Sequence, residues 1–325
     1  MHPVVMEQIL RRDHIDRLRR CCALPHPEPV RHYEQLAQLA PQVEILVTSW
    51  GCAPVTQEVL DRLPALKLIA HLAGSVKGFI DGSAWARGIQ VTNAVAANAV
   101  PVAEYTLAAI LFANKRVLQL RDFYRRHHEN RAPWTKEAPN VGNYRKRIGI
   151  IGASSVGRKL IELLTPFDLE RLVYDPYIGA DEARALGVTR VDLPTLLRTA
   201  DVVTLHAPLL ADTHHMLGAR EFAQMRDGAT FINTARGALI DQAALEQELI
   251  SGRIDAILDT TEPEVLPAGS PLYRLPNVFL TPHIAGSLGS EVQRLADYIV
   301  TEIECFVAQR PLRFAVQFDT LPHLA

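Results

Sequence analysis

The chain has 325 residues, enough for two domains that each bury a core, and 48% of them are hydrophobic against 22% charged. That composition is that of a soluble globular protein. A formal charge of -2 gives no bulk attraction to nucleic acid, so a nucleic-acid partner is not expected.

The first stretch, "MHPVVMEQILRRDHIDRLRR", turns charged within a dozen residues and offers no signal-peptide apolar core. Cys21, Cys22, Cys52 and Cys305 have no C-x-x-C or His-paired spacing, so the expectation is reduced thiols in a cytoplasmic protein with no metal site. A short strand is expected at "PVVM", followed by clearer ones at "EILVTSW", "LKLIAHL" and "IQVTN". A long helix then begins near Asn98, read as its N-cap, with Pro101 in the first turn, and continues through "AEYTLAAILFANKRVLQLRDFYRR". Pro101 and Glu104 interrupt its apolar run, so no membrane span is expected.

From residue 147 onward, "RIGII", "RLVYD", "VVTLH", "ATFIN", "DAILD" and "VFLTP" alternate with helical periodicity. Six strands spaced by helices predict a doubly wound parallel sheet. The final helical stretch, "EVQRLADYIVTEIECFV", is expected to pack back on the first unit. The fold class is therefore α/β: two Rossmann-like or flavodoxin-like domains with a cleft between them. The boundaries fall at 1–97 with 287–325 for a discontinuous substrate domain, and at 98–286 for a dinucleotide-binding domain. The basic clusters "RDFYRRHHENR" and "NYRKR" read as solvated faces.

"IIGASSVGR" sits between a strand and a helix, where a phosphate-cradling turn belongs. Gly152 permits the tight turn and Gly157 the close helix packing, but Ser154 replaces the middle glycine, and its hydroxyl is a candidate phosphate donor. Ser155 and Val156 complete the turn. Asp175 ends the next strand about 18 residues after Gly157, where an acid meets ribose hydroxyls and repels a 2′-phosphate, which favours NAD over NADP.

Ligands of such sheets lie beyond the carboxyl ends of the strands. Those positions hold Asp175, His206, Pro208, Thr234, Arg236, Asp259, Glu262 and His283. A guanidinium forks onto a carboxylate, an imidazole exchanges a proton with a carbonyl oxygen, and a carboxylate beside it orients the ring. Arg236, Glu262 and His283 thus suit hydride exchange with a 2-keto acid. Each alone is as easily an ion-pair partner, a first-turn residue or a core histidine, and it is the trio that argues for function.

"INTARGALID", "LDTTEPEVLP" and "TPHIAG", in that order, resemble the three signature segments of the D-2-hydroxyacid dehydrogenases, and "HLAGSVKGFID" and "NAVPVAEYTL" extend the likeness over nearly the whole chain. The resemblance implies Arg236 as carboxylate anchor, Glu262 as partner of His283, and His283 as acid/base. It implies that the backbone around Gly74, Ser75 and Val76 binds the substrate carboxylate, and that Asp259 contacts the nicotinamide carboxamide of NAD. Cofactor contacts are further expected at His206, Ala207, Pro208, Thr213, Thr234, Ala235 and Gly286. Relatives are usually homodimers joined through their cofactor domains. Lys77 stands where many relatives carry an acidic or amide residue, either as a second cation for the substrate or as a solvent-facing lysine. Trp134 is a further candidate for the pocket.

The reading is an NAD-dependent oxidoreductase interconverting a 2-keto acid and a D-2-hydroxy acid, like glyoxylate, hydroxypyruvate or phosphoglycerate enzymes. Phosphite oxidation stays open within the same scaffold, whereas formate-specific relatives carry glutamine where this chain has Glu262. A dinucleotide-sensing, corepressor-like interaction protein is the alternative from another class.

Overall fold

The computed structural model describes residues 3–25, 29–30, 32–127 and 140–323, so Trp134 lies outside the described residues. The chain divides into two compact units, Met1–Ala99 with Ser287–Ala325, and Val100–Gly286.

The first unit holds a parallel sheet of β1 (Ile45–Thr48), β2 (Leu68–His71) and β3 (Gln90–Asn93), with β2 between the other two. β2 is buried along its whole length, as an apolar strand covered on both faces should be. "PVVM" is not a strand: it opens the helix Pro3–Ile9. The helices Pro3–Ile9, Arg12–Cys21 and Val292–Val307 pack together, so this unit is built from both ends of the chain. Leu295, Ile299 and Ile303, on one face of Val292–Val307, join Ile9, Leu18, Leu68 and Ala70 in one core. Arg17 adds a two-pronged bond to Glu304, with Nε to Oε1 at 2.9 Å and Nη2 to Oε2 at 2.8 Å. Glu302 is fully buried, and its carboxylate accepts from Thr92 Oγ1, Arg313 N and Phe314 N.

The second unit is a seven-stranded parallel sheet: β4 (Arg147–Ile151), β5 (Glu170–Tyr174), β6 (Thr189–Arg190), β7 (Val202–Leu205), β8 (Thr230–Asn233), β9 (Asp255–Leu258) and β10 (Val278–Leu280), in the order 10-9-8-7-4-5-6. The six strands legible in the sequence are all present. The seventh, β6, is a two-residue exposed edge pairing with β5, too short to leave a pattern. The order reverses beside β4, which makes the switch point that ligands of such sheets use. Register aligns the strand ends, with Tyr174, Ile151, Leu205, Asn233, Leu258 and Leu280 in one row. The next residue of each strand therefore stands on a common edge, among them Gly152, Asp175, His206, Thr234 and Asp259.

The long helix differs from its sequence reading. It begins at Val95, runs to Asn114 and carries Pro101 inside, and Asn98 is no cap. Asn93 Oδ1 instead accepts from Val95 N, and Asn98 Oδ1 accepts from Ser287 N. Pro101 withholds one N–H from the carbonyl four residues before it without breaking the helix. By length and composition this helix could cross a membrane, yet Ala103, Ala109 and Ile110 belong to the core that also holds Ile148, Ile150 and Val173. Arg116, left-handed at φ 48, ends it, and a separate helix, Val117–Arg126, follows.

Burial holds two histidines neutral, with His71 pushed down to about 4 and His206 to about 3. The unfolded chain takes up these protons near the ordinary 6.5 and the folded chain does not, so their contribution is full above that value and is lost as pH falls towards 4. His71 Nδ1 pairs with Thr48 Oγ1 at 2.8 Å, a bond an amide can replace. Between pH 6 and 5, His71→Asn should lose stability less steeply than the wild type by ~1.2 kcal/mol per pH unit, read from urea unfolding; equal slopes would mean that His71 is not held neutral.

Candidate active site

The cofactor turn follows β4. Gly152 has φ 95, and a Cβ on it would sit 2.6 Å from Ala207 N. A Cβ on Gly157 would sit 2.1 Å from Gly152 O, so the helix Ser155–Leu164 approaches the strand as closely as glycine alone permits. Ser154 is the N-cap of that helix, at φ -65 and ψ -178, and its Oγ accepts from Gly157 N at 3.4 Å. No left-handed backbone is required there, so serine fits without strain. The hydroxyl accepts within the turn, a bond that does not use its own proton, and the N–H groups of Ser155 and Val156 belong to the first turn, which has no intrahelical acceptor for them.

Asp175 closes the turn from β5, its Oδ2 accepting from Ala153 N at 2.7 Å and its Oδ1 from Tyr177 N at 2.8 Å. Each oxygen retains a lone pair for a ribose hydroxyl. On the other side, Thr213 Oγ1 donates to Pro208 O at 2.6 Å and accepts from Leu210 N, which folds residues 208–213 into a tight loop beside Ala207. His206 is 3% exposed with its Nε2 on Thr204 Oγ1, so only its backbone is available to a cofactor. The cradle, the capped helix and the strand-end acid fit a dinucleotide.

The reactive end is built from three loops of the same unit. The first follows β8. Buried Asn233 accepts from Ala235 N through Oδ1 and donates to Arg236 O through Nδ2, both at 3.0 Å, and so fixes the turn that presents Arg236. Thr234 is buried against Thr106, Oγ to Oγ 3.0 Å. Arg236 is exposed, its Nη1 donates to Ala235 O, and no carboxylate of the described residues pairs with it. That leaves a guanidinium face for a substrate carboxylate. A Cβ on the next residue, Gly237, would fall 2.1 Å from the carbonyl carbon of Thr261, so the Arg236 turn packs directly on the loop after β9.

The second loop corrects the sequence reading. His283 Nδ1 pairs with Glu264 Oε1 at 2.5 Å, whereas Glu262 Oε2 lies 3.1 Å from His215 Nε2. The histidine's carboxylate partner is therefore Glu264, not Glu262. Glu262 is held away by Gln242 Oε1, which accepts from its backbone N–H, and Thr261 Oγ1 donates to Pro263 O at 2.9 Å, which sets the bend that turns Glu264 towards the ring.

The third loop follows β10 and carries His283 at φ 56, a left-handed position that costs a non-glycine residue roughly 1–2 kcal/mol. Asp259 holds it there. This buried carboxylate accepts from Thr281 Oγ1 at 2.6 Å and from Ile284 N and Ala285 N, both at 2.8 Å, three bonds into five residues centred on His283. Thr281 in turn accepts from Tyr105 OH at 2.8 Å. Asn233, Gly237, Glu264, Thr281 and Tyr105 were not singled out in the sequence. Gly286 is half-buried at the end of this loop.

Gly74, Ser75, Val76 and Lys77 lie in the other unit, after β2. Val76 points into its core, Ser75 Oγ accepts from Lys77 N at 3.2 Å, and Lys77 is exposed.

Residues 107–285 match the D-isomer specific 2-hydroxyacid dehydrogenase, NAD binding domain. The chain is 34% identical over 271 residues to D-3-phosphoglycerate dehydrogenase of Methanocaldococcus jannaschii, covering 83% of this chain and 50% of that protein. It is 32% identical over 255 residues to glyoxylate reductase of Korarchaeum cryptofilum, covering 78% of this chain and 76% of that one. Among solved structures, a D-lactate dehydrogenase from Treponema pallidum superposes with a TM-score of 0.71 at 26% identity, over 95% of this chain and 98% of that chain. The fold and the site define a two-domain α/β dehydrogenase scaffold. The chain belongs to the D-isomer specific 2-hydroxyacid dehydrogenase family and contains that family's NAD-binding domain. It spans about half the length of the phosphoglycerate dehydrogenases it matches.

Ser154→Ala should cost ~1 kcal/mol of stability and Ser154→Gly only a few tenths: both lose the cap acceptor, but glycine is itself a tolerated N-cap that leaves the first-turn N–H groups open to water. Chemical unfolding would measure both, with NADH titration alongside: weaker binding in both variants supports the hydroxyl as a phosphate donor, and affinities equal to that of the wild type would remove it from the site.

Proposed function

We propose that the protein is an NAD-dependent oxidoreductase that reduces a small 2-keto acid to a D-2-hydroxy acid and runs the reverse oxidation. The observation that carries this reading is that Arg236, which no carboxylate of the described residues pairs, and the His283–Glu264 pair all follow strands β8, β9 and β10 on the edge that bears the dinucleotide cradle. NADH, when bound, supplies the hydride.

The protein's own groups do the rest. Arg236 forks onto the substrate carboxylate and fixes the adjacent carbonyl. Glu264 accepts from His283 Nδ1–H, which leaves Nε2 as the nitrogen that gives a proton to the carbonyl oxygen and takes it back in the oxidation. Asp259 keeps the histidine in its left-handed position throughout, and one remaining lone pair on its Oδ2 is available to a cofactor amide. Asp175 favours NADH over NADPH by its charge near the ribose. The backbone at Gly74–Val76 is the proposed second hold on the substrate.

Names of the relatives support glyoxylate, hydroxypyruvate and 3-phosphoglycerate chemistry as the substrate class. Four free cysteines support a reducing, cytoplasmic setting. A homodimer joined through the cofactor unit is part of this reading.

The test is NADH and NADPH oxidation by purified protein with glyoxylate, hydroxypyruvate, pyruvate and branched 2-keto acids, with NADH binding in parallel. Turnover with at least one acid is expected. Tight NADH binding without any turnover would overturn the enzymatic reading in favour of a dinucleotide sensor. His283→Ala should lower kcat/KM by on the order of a hundredfold while leaving NADH affinity nearly unchanged. Glu264→Gln should lower kcat by about tenfold or more, and Glu262→Gln by less than about threefold; the opposite ranking would restore Glu262 as the partner.

A further inference from the structure

We infer that His214, His215 and Glu262 form a site for one divalent transition-metal ion of the zinc class, separate from the catalytic pair. The ligand atoms of these three exposed residues lie within 4.8 Å of one another, and among the described residues no other trio of His, Cys, Asp or Glu comes so close. His215 Nε2 and Glu262 Oε2 are 3.1 Å apart. Tetrahedral zinc, with bonds of about 2.0–2.2 Å to nitrogen and oxygen, requires ligand-to-ligand edges of about 3.3–3.5 Å, so this edge is nearly formed.

Neighbouring side chains on an extended chain point in opposite directions. Here His215 is left-handed at φ 50, and its ring stacks on that of His214 with centroids 3.9 Å apart at 24°. Both imidazoles are thereby presented side by side. The three backbones are fixed without any ion: His214 N donates to Leu210 O at 3.0 Å, His215 N to Ala238 O at 2.9 Å, and Glu262 N to Gln242 Oε1 at 2.9 Å. The side chains of His215 and Glu262 are 44% and 45% exposed, which leaves room for an ion and a water as fourth ligand. Two imidazoles and one carboxylate select zinc, cobalt, nickel or copper, because magnesium and calcium call for oxygen ligands throughout. The sequence alone conceals the site: its histidines are adjacent and its third ligand is distant in the chain.

The test uses the untagged full chain without substrate or cofactor, so its failure leaves the dehydrogenase reading untouched. Co2+ titrated into the protein should give the visible bands of four-coordinate cobalt, saturate at one equivalent, disappear on addition of Zn2+, and raise the melting temperature. His214→Gln, His215→Gln and Glu262→Gln, each with unchanged circular dichroism, should weaken cobalt binding by about tenfold or more. The double variant His283→Gln/Glu264→Gln should bind as the wild type does. Absence of cobalt bands, binding that survives the first three substitutions, or binding lost in the double variant would overturn the site.

Discussion

Much of the reactive end depends on one buried carboxylate. Asp259 is 1% exposed, and an unpaired charge at that depth would be strongly destabilising. Its three donors all come from residues 281–285, so the requirement to satisfy the charge is also the requirement to place His283. The left-handed histidine is affordable because the same bonds that solvate the acid define the loop. Tyr105, through Thr281, ties this arrangement to the long helix.

A second constraint, steric in kind, fixes the other two loops. The Arg236 turn meets the segment after β9 at Gly237, where backbone packs on backbone with no room for a side chain. Asn233 shapes that turn from within through bonds to both of its arms. The cofactor end follows the same logic at Gly157, whereas Ser154 stands at the fingerprint position whose backbone a side chain can occupy without strain. The middle position needs no special backbone here, and it gains a cap by carrying a hydroxyl.

All strands but the two-residue β6 were legible, because buried parallel strands are nearly continuous apolar runs of branched residues, as "RIGII" and "TFIN" are. The positions of Asp175 and Arg236 just beyond β5 and β8 were legible because the strands before them were. "PVVM" misled because four apolar residues carry no period, and the helix it belongs to is specified by packing on the C-terminal helix. Pro101 misled because proline marks a first turn only when nothing else stabilises the turn before it. The choice between Glu262 and Glu264 was beyond any local pattern: both flank Pro263, and the bonds that turn one towards His283 and the other towards His215 come from Thr261 and from Gln242, on a different element.

Arg236, Glu264, His283 and the dinucleotide cradle all belong to the 100–286 unit, whereas residues 74–77 belong to the other. Substitutions at Ser75 or Lys77 leave every bond around Asp259 intact, because that carboxylate and its three donors all lie within the 100–286 unit.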